Sequence, residues 1–391
     1  MKLNIVNDQF IKNNRTLLFL FLFWLLRLVF LKQGNAGGMA FNKYVILQIL
    51  LELGIFFVLA VRGVKFFLIL KAKTIRWFAL LYLFGMVSGL WSVAPSISTY
   101  FAFQNFLMLN FLLYLFMQTR DHFETERCFL FATFVILMFF LVSCLFAGES
   151  FHSVIFSTIA GIVFLYSATE YDPVGRPPEN LCLLRIGIWL GLGFLLLTTS
   201  SGAMVSVGVG TFFLAILAKR KSIRSSAWFL CVAAWLSYLF GATEWLMNIF
   251  LPGKSMLSVE TAHGRTYVWD LIIEKALTRP WFGWGYASIE RSLEDIYTID
   301  THNAAIGVFG NLGYVGCGIA IIAVLTFLYF VFINRKILGM AGVFVAMVAA
   351  LVNSNTSNFI VGKEGLAPVV FQAVVVLSWV YYVQRNSGVN E

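Results

Sequence analysis

Apolar runs of about 18 residues recur along the chain, each long enough to cross roughly 30 Å of hydrocarbon. They lie near 16–33, 44–61, 76–93, 98–117, 129–147, 152–169, 183–199, 203–218, 227–250, 303–333, 338–353 and 366–384. The pattern predicts an all-α polytopic membrane helical bundle of about twelve transmembrane helices. The run over 303–333 is too long for one straight span, so it predicts an interfacial segment around Asn303–Gly313 before the helix enters the bilayer. Polar positions accumulate in one place, residues 251–302. The chain therefore divides into helices one to nine over 1–250, a loop over 251–302, and helices ten to twelve over 303–391, all one integrated membrane domain.

The loop has a periodicity of its own. Gly264-Arg265-Thr266 opens a pattern in which Val268, Leu271, Ile272 and Ala276 share one helical face. Pro280 ends that helix, Gly283-Trp284-Gly285 reads as a turn, and a second short helix fits Ser288–Tyr297. Tyr267, Trp269, Trp281, Trp284, Tyr286 and Tyr297 suit a segment lying on the membrane interface.

Composition agrees with the pattern. Of 391 residues 60% are hydrophobic and 12% charged, with a mean hydropathy of +0.84; soluble domains carry about 25% charged residues. The net charge of +9 does not point to nucleic acid, because the basic residues sit in short turns between apolar runs. There they act as topology signals and contacts for anionic membrane lipids. With the N-terminus in the cytoplasm, most Lys and Arg fall on the cytoplasmic side, the even number of spans returns the C-terminus there, and the loop lies outside. Cys128, Cys144, Cys182, Cys231 and Cys317 show no CxxC spacing, so inert thiols are expected rather than disulfides or a zinc site. The first run lacks a small-residue cleavage site and reads as a retained helix.

Few residues are placed for chemistry. Arg265 stands at the start of the loop helix, where free N–H groups and the helix dipole favour an anion and a guanidinium can clamp a diphosphate. An interfacial arginine on a lipid phosphate is the plainer reading. His302 ends the loop, two residues after Asp300, where a histidine can act as general base; the alternative is a surface histidine. His263 competes but nothing frames it, and His122 and His152 read as structural. Arg27 and Glu52 lie at similar depth in the first two spans and read as an ion pair, with a proton relay as the alternative. Lys254, Lys275, Arg279 and Arg291 can assist an anionic substrate. Glu260, Asp270, Glu274, Glu290, Glu294 and Asp295 read mostly as solvated faces without metal spacing.

These residues sit in an ordered set: Gly264-Arg265-Thr266-Tyr267-Val268-Trp269, then Arg279-Pro280-Trp281-Phe282-Gly283-Trp284-Gly285, then His302-Asn303 followed by Gly313 and Gly316. Upstream stands Leu90-Trp91-Ser92-Val93-Ala94-Pro95-Ser96. Over roughly residues 80–330 this resembles the O-antigen ligase and O-antigen polymerase superfamily. The resemblance implies a GT-C type transferase that takes a glycan from an undecaprenyl-diphosphate-linked donor to a saccharide or lipid A–core acceptor on the periplasmic side. It implies no metal and no other cofactor. Carried over by motif, Arg265 holds the diphosphate and His302 sits at the reacting centre, with Asn303 beside it. The chain departs from the family at the outer start of the eighth span, where Ser201 occupies a position that is usually basic. Arg279, Arg291 or Lys254 can replace the lost cation. The departure favours a polymerase of O-antigen or exopolysaccharide over a ligase. Two other readings remain open: a transporter of polysaccharide or lipid-linked sugar, and an inactive assembly component.

Overall fold

The computed structural model describes residues 43–147, 153–198, 200–240, 265–293, 301–355, 360 and 366–387. Among them every regular element is a helix. The elements are α1 (Lys43–Val61), α2 (Arg76–Val87), α3 (Pro95–Met117), α4 (His122–Ala147), α5 (Ser153–Glu170), α6 (Pro178–Thr198), α7 (Ser201–Leu217), α8 (Lys221–Leu239), α9 (Arg265–Leu277), α10 (Ala304–Ile333), α11 (Met340–Asn353) and α12 (Leu366–Asn386). Short 3₁₀ turns occupy Phe66–Lys71, Ser88–Leu90 and Ile289–Ser292. Each expected run from the second to the twelfth overlaps a helix, the part of the ninth beyond Phe240 lying outside the described residues. The first, with Arg27, lies outside the described residues.

The helices form because these stretches are long, apolar and nearly free of charge, so that backbone groups in lipid must bond within the segment. Three of them, α3, α6 and α10, are long and apolar enough to cross a membrane by length and composition alone. Several described helices show large apolar side chains to the outside, among them Phe57, Trp189, Leu197, Phe229, Trp235 and Leu325. An apolar surface of that extent requires an apolar environment.

The core runs through the whole bundle. α5 packs along α6, and α11 lies against α5 and α7; α2 packs on α3 and α10, and α12 on α3 and α11. A second, smaller core of Val268, Ile272 and Ile289, backed by Trp284, Leu293 and Ile306, joins α9 and the Ile289–Ser292 turn to the start of α10. The helical face expected for α9 is thus the buried one, with Leu271 at its half-buried edge.

The long tenth run is broken where its length requires. Gly313 has φ 63° and ψ −163° inside α10, a conformation that side chains with a Cβ disfavour. A Cβ there would lie 2.5 Å from the backbone carbonyl of Trp281, and one on Gly283 would lie 2.5 Å from that of Asn311. The two glycines let these strands of backbone touch, and the contact is fastened by Trp284 N–H to Gly310 O (3.1 Å), Gly285 N–H to Asn311 O (2.8 Å) and Tyr314 N–H to Pro280 O (2.8 Å).

Two sequence expectations change. The helix expected over Ser288–Tyr297 is, among the described residues, a single 3₁₀ turn at Ile289–Ser292. Tyr286, expected at the interface, is fully buried. Its hydroxyl accepts from Asn105 Nδ2 (3.1 Å), whose Oδ1 accepts from Gln372 Nε2 (2.9 Å), which also donates to Tyr82 (3.2 Å). A tyrosine with one polar tip can go inward when that tip finds a partner.

The opposite end of the bundle holds a buried ionic cluster. Glu170 accepts from Arg176 Nη2 (2.8 Å), Lys219 Nζ, and the N–H groups of Gly339 (3.1 Å) and Gly342 (2.9 Å). Arg176 also pairs with Glu126, which accepts from Asn180 (2.8 Å) and Tyr166 (3.2 Å). Burial opposes the charge on Arg176, but Glu126 and Glu170 outweigh it and raise its pKa.

Candidate active site

α9 brings the loop candidates together. Arg265 is its first described residue and is half-buried. Trp269 follows one turn later on the same face, and its indole N–H donates to the carbonyl of Thr301 at 2.9 Å. The next residue is His302. Arg265, 37 positions before His302 in sequence, thus stands one helical turn from a side chain that bonds the residue before His302.

His302 is half-buried and has φ 45°. A histidine in the left-handed region costs free energy that its surroundings must supply. Those surroundings hold the backbone from both sides. Thr301 N–H donates to Glu290 Oε1 (3.1 Å), opposite to the indole bond on its carbonyl. After His302, Asn303 caps α10 by accepting from Ile306 N–H (3.1 Å) and donates to Asn355 O (3.4 Å), while Ala304 N–H donates to Ser354 O (2.8 Å). The imidazole is therefore presented from a backbone fixed by α9, the Ile289–Ser292 turn and the end of α11.

Three residues make contacts that their sequence neighbourhoods do not announce. Glu290 is half-buried and bonds the backbone beside His302 rather than forming a solvated face. Asn303, expected at the substrate, also caps α10 through its Oδ1. Trp269, read as an interfacial aromatic, stands one turn from the first candidate and bonds the residue before the second. Its signal in the sequence was its place four residues after Arg265.

The other candidates are spread more widely. Arg279 is exposed, stacks over Trp284 at 4.0 Å, and donates to Trp91 O at 3.4 Å. Arg291 is half-buried in the Ile289–Ser292 turn. Ser201 is the half-buried first residue of α7, behind a Ser200 cap that makes no side-chain bond. Lys254, His263, Asp300 and His152 lie outside the described residues, as does any partner of Glu52 on the first run. Glu52 itself is buried and accepts from Gln104. His122 is buried against Tyr381, ring centroids 5.5 Å apart, with burial holding its pKa below 6.5. It lies at the start of α4, well away from Arg265. Cys128, Cys182, Cys231 and Cys317 are free thiols, each half-buried.

The upstream turn belongs to the same assembly. Trp91 Nε1 donates to Phe282 O (3.0 Å), Ser92 Oγ donates to Ser288 Oγ (3.0 Å), and Ser98 Oγ donates to Tyr286 O (2.8 Å). The segments around 91–98, 279–288 and 310–315 thus form one hydrogen-bonded knot beneath α9, and their role is to fix the loop on the bundle.

A helical bundle clothed in apolar side chains is that of an integral membrane protein. Residues 186–321 match the O-antigen ligase family model, a similarity that supports the O-antigen ligase and polymerase superfamily. The match takes in Arg265, Trp269, Glu290 and His302. No curated protein matches the chain.

Proposed function

We propose that this protein is an inner-membrane glycosyltransferase of GT-C type that moves a glycan from undecaprenyl diphosphate to a saccharide hydroxyl on the periplasmic side, polymerising O-antigen or exopolysaccharide. The observation that carries the reading is Arg265 standing one helical turn from Trp269, which bonds the residue before a strained, doubly held His302, all inside the matched stretch. The acceptor hydroxyl gives its proton to His302 as its oxygen forms the new bond to the anomeric carbon. The bond from that carbon to the diphosphate oxygen breaks, and Arg265 stabilises the negative charge that collects on the leaving diphosphate. Neither role calls for a metal ion. Arg291 and Arg279 supply further positive charge where Ser201 replaces the usual cation.

The test is purified protein in lipid with an undecaprenyl-diphosphate oligosaccharide and no other acceptor. A ladder of longer glycans is expected, falling by about 10²–10⁴-fold in His302→Ala and by about 10²–10³-fold in Arg265→Ala. Transfer only after lipid A–core is added would make the protein a ligase. Absence of transfer under both conditions would refute the enzyme reading.

A further inference from the structure

The consecutive helices α6 and α7 each pack along α5 rather than on each other, so a seam runs between them with α5 as its floor. Its walls are apolar. α6 carries no charge from Ile186 to Thr198, and α7 none from Ser201 to Leu217. Ile186, Trp189, Val205 and Val209 are exposed on the two helices, a surface that hydrocarbon chains cover.

At the end of the seam beside the Glu170 cluster, two guanidinium groups converge on one ring. Arg185 lies about 10 Å into α6, at 1.5 Å per residue. Its Nε donates to the Tyr171 hydroxyl (2.7 Å), and its guanidinium carbon lies 5.7 Å from the centre of that ring. The guanidinium carbon of Arg220 lies 5.3 Å from the same centre. Tyr171 is buried. Arg220 is held in place by its neighbour: Lys219 N–H donates to Thr169 O (3.2 Å), and Lys219 Nζ pairs with Glu170. Arg224 adds charge at the same turn, donating to Ala218 O through Nε (3.2 Å) and Nη2 (2.8 Å).

The charge here is unbalanced. Among the described residues Arg176 and Lys219 take the carboxylates of Glu126 and Glu170, and Arg185, Arg220, Lys221 and Arg224 pair with none. Asp172, next to Tyr171, accepts from Val174 N–H (3.1 Å) in its own turn. The first turn of α8 contains no acidic residue. Like charges gathered this closely repel, and an anion set between them relieves the repulsion. Arginine forks match phosphate oxygens in geometry.

We propose that Arg185, Tyr171 and Arg220 bind the head group of an anionic diacyl phospholipid, whose phosphodiester bridges the two guanidinium groups while an acyl chain lies in the seam between α6 and α7. Basic pockets between membrane helices take acidic head groups in this way. The lipid acts as a wedge that completes the packing of two helices that do not meet. The site lies at the opposite end of the bundle from Arg265, and its occupancy is independent of the transfer chemistry proposed above.

The test is native mass spectrometry of the full chain in detergent, with dioleoyl phosphatidylglycerol, dioleoyl phosphatidylethanolamine and glycerol phosphate as separate probes. Phosphatidylglycerol is expected to bind about tenfold more tightly than phosphatidylethanolamine, which has the same chains and no net charge. Glycerol phosphate, with no chain for the seam, should not be retained. The Arg185→Ala, Arg220→Ala double variant should weaken phosphatidylglycerol about tenfold. Arg335→Ala, Lys336→Ala removes equal charge at the same end of the bundle, just before Gly339, and should leave binding unchanged. Thermal melting checks the wedge: added phosphatidylglycerol should raise the melting temperature of the wild type and of the Arg335, Lys336 variant, and not that of the Arg185, Arg220 variant. Equal binding of the two lipids, or an equal loss in both double variants, would mean diffuse attraction to charge and overturn the proposal. Unchanged binding in the Arg185, Arg220 variant would overturn it too, as would glycerol phosphate binding as tightly as the lipid.

Discussion

Replacing Glu170 by Ala tests whether the buried ionic cluster holds the far end of the bundle together. The carboxylate is fully buried and accepts from two cations and two backbone N–H groups. Alanine leaves Arg176 with Glu126 alone and strands the amides of Gly339 and Gly342. Lys219, whose side chain is 23% exposed, can turn to water and recover part of its solvation. Breaking a buried pair by removing one partner costs about 3–5 kcal/mol. At roughly 2 °C per kcal/mol for a chain of this size, melting should fall by about 6–10 °C. Glu170→Gln keeps an acceptor oxygen and the shape but not the charge, so its fall should be about half as large. Intrinsic tryptophan fluorescence of the purified protein in detergent during heating reports the transition. A fall below about 2 °C for Glu170→Ala would refute the reasoning and mean that the cluster is solvated or rearranges freely.

Three further outcomes follow from the geometry. Gly313→Ala places a methyl against the Trp281 carbonyl in a left-handed conformation, and thermal melting should show a loss of about 1–3 kcal/mol or more. Trp269→Phe removes the bond to Thr301 and keeps the packing; stability should fall by about 1 kcal/mol, while turnover in the glycan assay falls further and KM changes little. His122 has a folded pKa below the 6.5 of the unfolded chain because burial disfavours its charged form, so the unfolded state binds the proton more readily and stability falls as pH drops through about 6.5. Melting measured between pH 5 and 8 should lose part of that slope in His122→Phe.

The helices were legible because their stretches are long apolar runs, and α1 to α8 and α10 to α12 lie on those runs. The break at Gly313 was legible for the same reason, since a run that long must bend. The inner face of α9 could be read from Val268, Ile272 and Ala276. What could not be read were contacts between segments far apart in sequence. Arg176 and Lys219 look like ordinary topology charges, and nothing local marks Glu126 and Glu170 as their partners. Glu290 carries no local signal that it bonds Thr301. Trp269 and Tyr286 look alike as loop aromatics, yet one bonds the residue before His302 and the other is driven into the bundle by a hydrogen bond from Asn105.

α11 is buried along nearly its entire length of roughly 20 Å. At its N-terminus the amides of Gly339 and Gly342 bond Glu170; at its C-terminal end Asn353 bonds Thr158, and the Ser354 carbonyl just beyond receives the amide of Ala304. It is a strut pinned at both ends, with α5 alongside as its second rail. Distance therefore gives His302 no insulation: a change at the Glu170 foot of the strut tilts or shifts the shelf on which the histidine stands. Lost turnover in a variant of that far cluster would be a mechanical effect, carried through α11 with no ligand contact altered.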